Sequence, residues 1–374
     1  MSGIYIHIPF CKKACHYCDF HFSTTHGMMS DMVNAIQKEI VLRKDYLAGE
    51  EVETIYFGGG TPSLLNKDQL ELLLNTIREN FIVDENAEVT LESNPDDLTK
   101  ETLQMLKSAG VNRLSIGIQS FREEDLQLMN RAHNAVQALQ CVNDAKQAGF
   151  DNITIDLIYG LPNLTADAWT KNMDIAFGLE VDHLSCYSLT VEPKTALAAM
   201  IKQHKVNDID EGASTLHFEM LMKAAGENGF EHYEISNFAR NGKYSRHNTS
   251  YWQRKKYLGV GPSAHSYNGD SRQWNVSNNP IYIRSLGENK IPSEMEVLSV
   301  KDKFNEYILT TLRTKWGIDQ DFVSSEFGEQ MSLELIEKLN IQVKENMILK
   351  NGNVFTLSEN GKYFADRVSS FLFL

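Results

Sequence analysis

The chain has no apolar run longer than a β-strand, and this excludes a helix able to cross a bilayer. Its first residues, MSGIYIHIPF, lack the basic start and the long apolar core of a secretory leader. A cytoplasmic place is expected, with any contact at the inner membrane peripheral. Basic residues are in deficit: 36 Lys and Arg stand against 50 Asp and Glu, a formal net charge of −14. Such a surface repels phosphate backbones, so no nucleic acid is expected as a partner. Prolines number only 8 and low-complexity segments are lacking, so the 374 residues suffice for one large or two ordinary folded domains. Cysteines are scarce as well, 5 in all. In a reducing compartment, clustered cysteines are candidates for metal binding or catalysis rather than disulfides.

Three of the five fall within eight positions of CKKACHYCDF (Cys11–Phe20), spaced C-x3-C-x2-C. Thiolates so placed can each reach one corner of a cubane iron–sulfur cluster from a single loop. The fourth iron is then left without a protein ligand and can chelate a small molecule through an amine and a carboxylate. Zinc is the competing reading, but it would want a second Cys/His pair at a distance. His7, His16, His21 and His26 lie near the loop, whereas Cys141 and Cys186 are isolated and read as core residues.

The first half of the chain alternates strand-like and helix-like segments. Strands are expected over 3–9, 51–57, 87–95, 112–120, 152–162 and 181–189, with helices between them, among them 30–47, 67–80, 99–109 and 135–148. Six βα repeats predict an α/β fold, a partial (β/α)6 TIM-like barrel whose site lies at the C-terminal ends of the strands. Past residue 194 the spacing predicts a helix over 212–228, a hairpin or edge strand in EHYEISNFAR and a loop rich in aromatics and glycine over 243–275. From about Val300 two helices, two short strands around NGN and a last helix fit a small winged-helix-like α+β unit. The expected division is a core barrel over 1–235, a connecting region over 236–300 and a C-terminal unit over 301–374.

Polar motifs collect at the expected rim. GGGTP (Gly58–Pro62) follows a strand directly, and its glycines would let backbone approach a ligand closely, although such a turn alone is more often structural. Glu92 and Gln119 end strands, Asp156 lies in one, and Arg131 sits in the NRAHN turn. Inside a barrel mouth such groups are costly unless paired or ligand-bound. Any one of them by itself could be a surface group at a loop end.

The cysteine loop, with Tyr17 before its last cysteine, resembles the signature of radical S-adenosylmethionine (SAM) proteins. Together YIHIPFC, GGGTP, ESNP, RLSIGIQSF, NRAHN and DLIYGLP resemble the porphyrin-related branch of that superfamily, over most of the chain. The branch holds the oxygen-independent coproporphyrinogen III oxidase and a group of heme chaperones. The resemblance implies a 4Fe-4S cluster on Cys11, Cys15 and Cys18 with SAM on the open iron. It places Tyr5, Tyr17, Gly59, Gly60, Thr61, Glu92, Gln119, Arg131, Asp156 and Thr190 around SAM.

Two further features divide the branch. Phe20 stands where the oxidase has a fourth cysteine and where the chaperones have phenylalanine; its bland role would be packing beside the cluster. RHNTSYW (Arg246–Trp252) resembles the chaperones' HNxxYW motif. There His247 is the candidate ligand for heme iron, Tyr251 and Trp252 offer flat faces to a porphyrin, and His265 in YLGVGPSAHS is the fallback ligand. A histidine among aromatics is also an ordinary packing residue. The resemblance thus implies a heme carrier that supplies apo-hemoproteins such as respiratory enzymes. The alternative is a radical enzyme that decarboxylates coproporphyrinogen, with an electron from a flavodoxin- or ferredoxin-type donor. Whether SAM is cleaved, and whether the assembly is a monomer or a homodimer, the sequence leaves open.

Overall fold

A computed structural model describes residues 2–374. The first half runs β1 (Ser2–Ile8), α1 (Met29–Leu42), β2 (Val52–Gly59), α2 (Lys67–Asn80), β3 (Val83–Ser93), α3 (Lys100–Ala109), β4 (Arg113–Gln119), α4 (Glu123–Leu128), α5 (Ala135–Gln147), β5 (Ile153–Tyr159), α6 (Ala166–Gly178) and β6 (His183–Ser188). Strands β1 to β6 are parallel and lie side by side in chain order, the partial (β/α)6 arrangement expected. Six of the seven β1 residues are buried, as in a strand covered on both faces; only Tyr5 is half-buried. Helix α2 turns Leu70, Leu73, Leu74 and Ile77 inward at helical spacing, and Asn66 with Gln69 closes its start in a capping box. Helix α1 stops at Leu42 rather than running on to residue 47. The Arg43 guanidinium turns inward to Glu39, and Ala48 and Gly49 take left-handed backbone that no helix continues through.

The chain continues with α7 (Ala196–Lys202), α8 (Glu211–Glu227), β7 (Glu231–Glu234), β8 (Asn237–Ala239), α9 (Arg246–Trp252), β9 (Lys256–Val260), β10 (His265–Tyr267), β11 (Ser271–Asn275), α10 (Asn279–Gly287) and β12 (Ser293–Val297). Here the expectation of a loop over 243–275 is corrected. That stretch forms α9 and three strands, elements of three to seven residues that are too short to show a period in sequence. Strand β9 joins the main sheet parallel to β1, with Gly259 opposite Tyr5, and β10 to β12 extend it antiparallel. At the other end the β7–β8 hairpin pairs antiparallel with β6.

The last segment runs α11 (Val300–Leu312), β13 (Ile318–Asp319), α12 (Gln320–Phe327), α13 (Glu329–Lys344), β14 (Ile348–Asn351), β15 (Val354–Leu357), α14 (Glu359–Lys362) and α15 (Ala365–Leu372). It builds its own apolar core around Phe304, Leu312, Leu339, Phe355 and Val368, with a small sheet of order β13-β15-β14. Backbone bonds tie it to the β7–β8 hairpin: the Ile235 amide donates to the Arg313 carbonyl and the Lys315 amide to the Tyr233 carbonyl, at 3.1 and 2.9 Å. Among the described residues no helix is long and apolar enough to cross a membrane.

Candidate functional site

The cysteine loop leaves the end of β1 and folds against the GGGTP turn after β2. The Gly60 amide donates to the Ile8 carbonyl at 2.9 Å and the Thr61 amide to the Phe10 carbonyl at 2.7 Å. A Cβ on Gly60 would stand 2.6 Å from the Phe10 carbonyl oxygen, and one on Gly59, whose φ is 105°, 2.5 Å from the His7 ring. Close approach at these two glycines therefore first serves the meeting of the turn with β1 and its loop. Cys11, Cys15 and Cys18 are half-buried and free of disulfides. Among the described residues no three Cys, His, Asp or Glu side chains converge closely enough to hold a single ion. The nearby histidines brace the loop: His26 Nε2 lies 3.0 Å from the Cys11 carbonyl and His16 Nδ1 2.8 Å from that of Leu128. Burial raises the Cys11 thiol and pushes Cys18 up to about 11, a cost that coordination by a metal cluster removes.

Arg131, from the turn after α4, reaches into this loop. Its Nη1 lies 3.2 Å from the Cys15 sulfur and 3.5 Å from the Tyr17 hydroxyl. Its Nη2 donates to the Gly117 carbonyl at 2.7 Å and to Asn94 Oδ1 at 2.5 Å, and Asn94 in turn donates to the Thr61 hydroxyl at 3.1 Å. Gly117 makes this possible, since a Cβ there would come within 2.9 Å of Gln119 Nε2 and 3.2 Å of Arg131 Nη2. Gln119 ends β4 at a φ of 70°, a left-handed backbone that costs a non-glycine residue about 1–2 kcal/mol. Gly117 and Asn94 lie inside the RLSIGIQSF and ESNP motifs, but no local pattern marks either as a partner of Arg131.

On the neighbouring strands Tyr5 pairs in register with Tyr56. The Tyr56 hydroxyl donates to Glu92 at 2.8 Å, and the Gly59 amide to the same carboxylate at 3.2 Å. Burial raises the Glu92 carboxyl, and burial together with the Glu92 charge lifts Asp156 to about 7. Two sunken acids held away from their usual range gain from a cationic guest. Beside them the Arg131 Nε is buried without a partner. A sulfonium and ammonium on the acids, with a carboxylate toward the arginine, satisfy this donor set, so the residues present fit SAM and a cluster on the three thiols. Thr190 is exposed past the end of β6 and takes no part in these contacts.

Residues 5–175 match the radical SAM superfamily. The heme chaperone HemW of Bacillus subtilis is 32% identical over 371 residues, 98% of each chain. That of Lactococcus lactis is 34% identical over 346 residues, 90% of each. The chain belongs to the HemW family. Membership of the radical SAM superfamily implies a 4Fe-4S cluster and SAM. The solved coproporphyrinogen III oxidase (HemN) of Escherichia coli has the same fold, with a TM-score of 0.86 over 99% of this chain and 89% of its own, at 24% identity.

In this HemW-family chain the HNxxYW segment is helix α9. Its start is held by the Glu88 carboxylate, which accepts from the Arg246 and His247 amides at 3.2 and 3.1 Å. His247 is 1% exposed. Its Nδ1 lies 2.7 Å from the Thr54 hydroxyl and its Nε2 2.7 Å from the Tyr251 hydroxyl, while its ring stacks on Tyr56 at 5.0 Å. Both ring nitrogens of His247, one an N–H and one a lone pair, are thus engaged inside the fold, and binding of an iron by this ring would have to displace the Thr54 or the Tyr251 hydroxyl. Burial, with the Arg113 charge, lowers its pKa to about 3 and keeps it neutral. Its neighbours Tyr251 and Trp252 do face open space. With Tyr5, Tyr257, Tyr267, Arg254 and Arg272 they line a cavity of about 420 Å³, reached also by His265, Phe20 and Glu306. Phe20 is 69% exposed at this cavity and is not packed away beside the thiols. The glycines of YLGVGPSAHS likewise serve the chain: Cβ atoms on Gly259 and Gly261 would strike the carbonyl oxygens of His265 and His7 at 1.9 and 2.5 Å.

Proposed function

We propose that this chain binds heme and delivers it to apo-hemoproteins such as respiratory enzymes, with a cysteine-held 4Fe-4S cluster and SAM beside the cargo. The observation that carries the proposal is the cavity next to the cysteine loop. Its tyrosines and Trp252 offer flat apolar faces, and Arg254 and Arg272 supply positive charge in a protein of net charge −14. That combination suits a planar macrocycle bearing two carboxylates. The cavity draws on Tyr5, Tyr251 and Glu306, one from each of the proposed parts 1–235, 236–300 and 301–374. The chain's relationship to proteins named heme chaperones supports the same proposal.

Cys11, Cys15 and Cys18 would hold the cluster, which when bound would supply one-electron chemistry toward the sulfonium of SAM, with a flavodoxin- or ferredoxin-type protein as the proposed electron donor. The chain's own residues do the placing. Arg131 fixes the loop at Cys15, Glu92 and Asp156 hold positive charge, and Tyr5 and Tyr17 fill space that water would otherwise take. Heme titration of the purified protein should give a Soret band that saturates at a defined stoichiometry. Coproporphyrinogen, SAM and reductant added to reconstituted protein should yield no protoporphyrinogen. Turnover in that assay without saturable heme binding would replace the carrier by the oxidase.

A further inference from the structure

We propose that Asp97, acting through Lys12, is a positioning residue for the cysteine loop, and that this pair fixes the spacing of Cys11 and Cys15 at which the cluster keeps one iron open. The proposal rests on the three thiols holding a 4Fe-4S cluster and goes further by naming what shapes the loop that holds it.

All three residues between Cys11 and Cys15 are held from outside the loop. Lys12 Nζ pairs with the Asp97 carboxylate and donates to Asp96 Oδ2 at 3.0 Å. Lys13 Nζ donates to the Arg131 carbonyl at 3.4 Å, and the Ala14 carbonyl accepts from Asn130 Nδ2 at 2.7 Å. Of these three links only that of Lys12 ends on a buried charge, for the Asp97 side chain is 3% exposed. Asp97 closes the short turn Pro95–Asp97 after β3. Its second oxygen accepts from the Ser63 hydroxyl, in the turn after β2, at 2.8 Å. One carboxylate therefore joins the segments that follow β1, β2 and β3.

Among the described ion pairs only Lys12 meets the Asp97 carboxylate. Without it the buried charge would be left with the Ser63 hydroxyl alone, so the pair is hard to separate once formed. The two ends of the spacer are fixed by a second route. Thr61, whose amide holds the Phe10 carbonyl just before Cys11, accepts through its hydroxyl from Asn94. Asn94 Oδ1 accepts from Arg131, and the same guanidinium meets the Cys15 sulfur. Cys11 and Cys15 thus lie at the ends of a bonded chain through Thr61, Asn94 and Arg131, while Lys12 pins the spacer between them to the turns that carry Thr61 and Asn94. Ligands held at a set separation before the metal arrives are preorganised, and the groups that hold them govern affinity nearly as the ligands do.

The test reconstitutes the full chain and three variants without oxygen. It follows the rate at which a chelator removes iron, the electron paramagnetic resonance of the reduced cluster with and without SAM, and the thermal midpoint of the metal-free protein. Lys12→Met should lose iron about 10-fold faster or more, the effect of removing a group that holds a metal ligand, and its resonance should need more SAM to shift. Lys12→Arg keeps a cation for the two acids and should restore both readings. The double variant Lys12→Met with Asp97→Asn strands no buried charge and keeps an acceptor for Ser63. Its thermal midpoint should lie near that of the unaltered chain, while its iron is still lost at the faster rate. If iron retention and the SAM response recovered in the double variant together with the midpoint, the pair would be a brace for the fold alone and the proposal would be overturned. Unchanged iron loss in Lys12→Met would overturn it as well, leaving the cluster in place. An unaltered chain that assembled no cluster would instead remove the cluster itself, and this proposal with it.

Discussion

Nη1 of Arg131 stands 3.2 Å from the sulfur of Cys15, while Nη2 of the same guanidinium is bonded to the carbonyl of Gly117. One side chain thus couples the thiol loop to the end of β4. Lysine could place a charge there but not a planar fork, so it could not serve Cys15, Asn94 and Gly117 together. Arg131→Lys should fold, lose about 1.5–3 kcal/mol of charge-assisted bonding and bind SAM on the order of tenfold or more weakly. Isothermal titration of anaerobically reconstituted protein measures this. Undiminished SAM affinity would show that Arg131 only braces the loop.

Cys15→Ala removes one of three candidate ligands and should abolish assembly of the cluster. Iron content and visible absorbance after anaerobic reconstitution report the result directly. A variant that kept a full complement of iron would exclude Cys15 from the cluster.

Asp156 makes stability depend on pH. Its carboxyl is raised from 3.8 to about 7, so the folded protein holds an extra proton between those values. The stability of the SAM-free protein that depends on this group is fully present below pH 4, falls as pH rises through 7, and is flat above. Asp156→Asn should flatten that decline and raise the thermal midpoint at pH 8 above that of the parent, while weakening SAM. Glu92, raised by burial in the same direction, keeps a residual slope. A midpoint profile from pH 4.5 to 8 that is identical in both proteins would show that Asp156 ionises normally.

Gly117→Ala separates the site from the fold. The atoms that its Cβ would crowd are the ends of two flexible side chains, Gln119 and Arg131, rather than backbone. The thermal midpoint should therefore change little, whereas SAM affinity falls as both groups are pushed from their positions. Equal SAM binding in the two proteins would take Gln119 out of the cofactor's surroundings.

The legible part of the chain was the part whose structure is local or repeated. Apolar runs such as IYIHI mark strands buried on both faces, and the Asn66–Gln69 capping box marks where α2 begins. Residues 243–275 hid their structure because the partners that fold them are remote. Strand β9 enters the main sheet by pairing with β1, about 250 positions earlier, and α9 is held by Glu88 and Thr54 on β3 and β2. The HNxxYW spacing identifies a segment with its histidine, but which way that ring turns depends on Thr54, 193 positions away. Likewise Asn94 and Gly117 matter through Arg131, which no local pattern connects to them.

Glu39 tests the remote part of this construction. It lies on α1, is 0% exposed, and accepts from the Gly261 amide at 2.9 Å, from Asn275 at 2.8 Å, from Arg43 at 3.2 Å and from the Tyr282 hydroxyl. These donors lie after β9, at the end of β11, at the end of α1 and on α10, so one carboxylate gathers the whole extension beside β1. Glu39→Ala would leave the Arg43 charge buried without its partner, a change that costs about 3–5 kcal/mol. Glu39→Gln keeps the shape and one acceptor and should cost less. Because Gly261 packs on His7 and adjoins the strand carrying His265, the alanine variant should also lose hemin affinity. Urea unfolding and a hemin titration on the same samples measure both effects. A Glu39→Ala protein with the parental urea midpoint would mean that β9 to β12 are held by strand pairing alone.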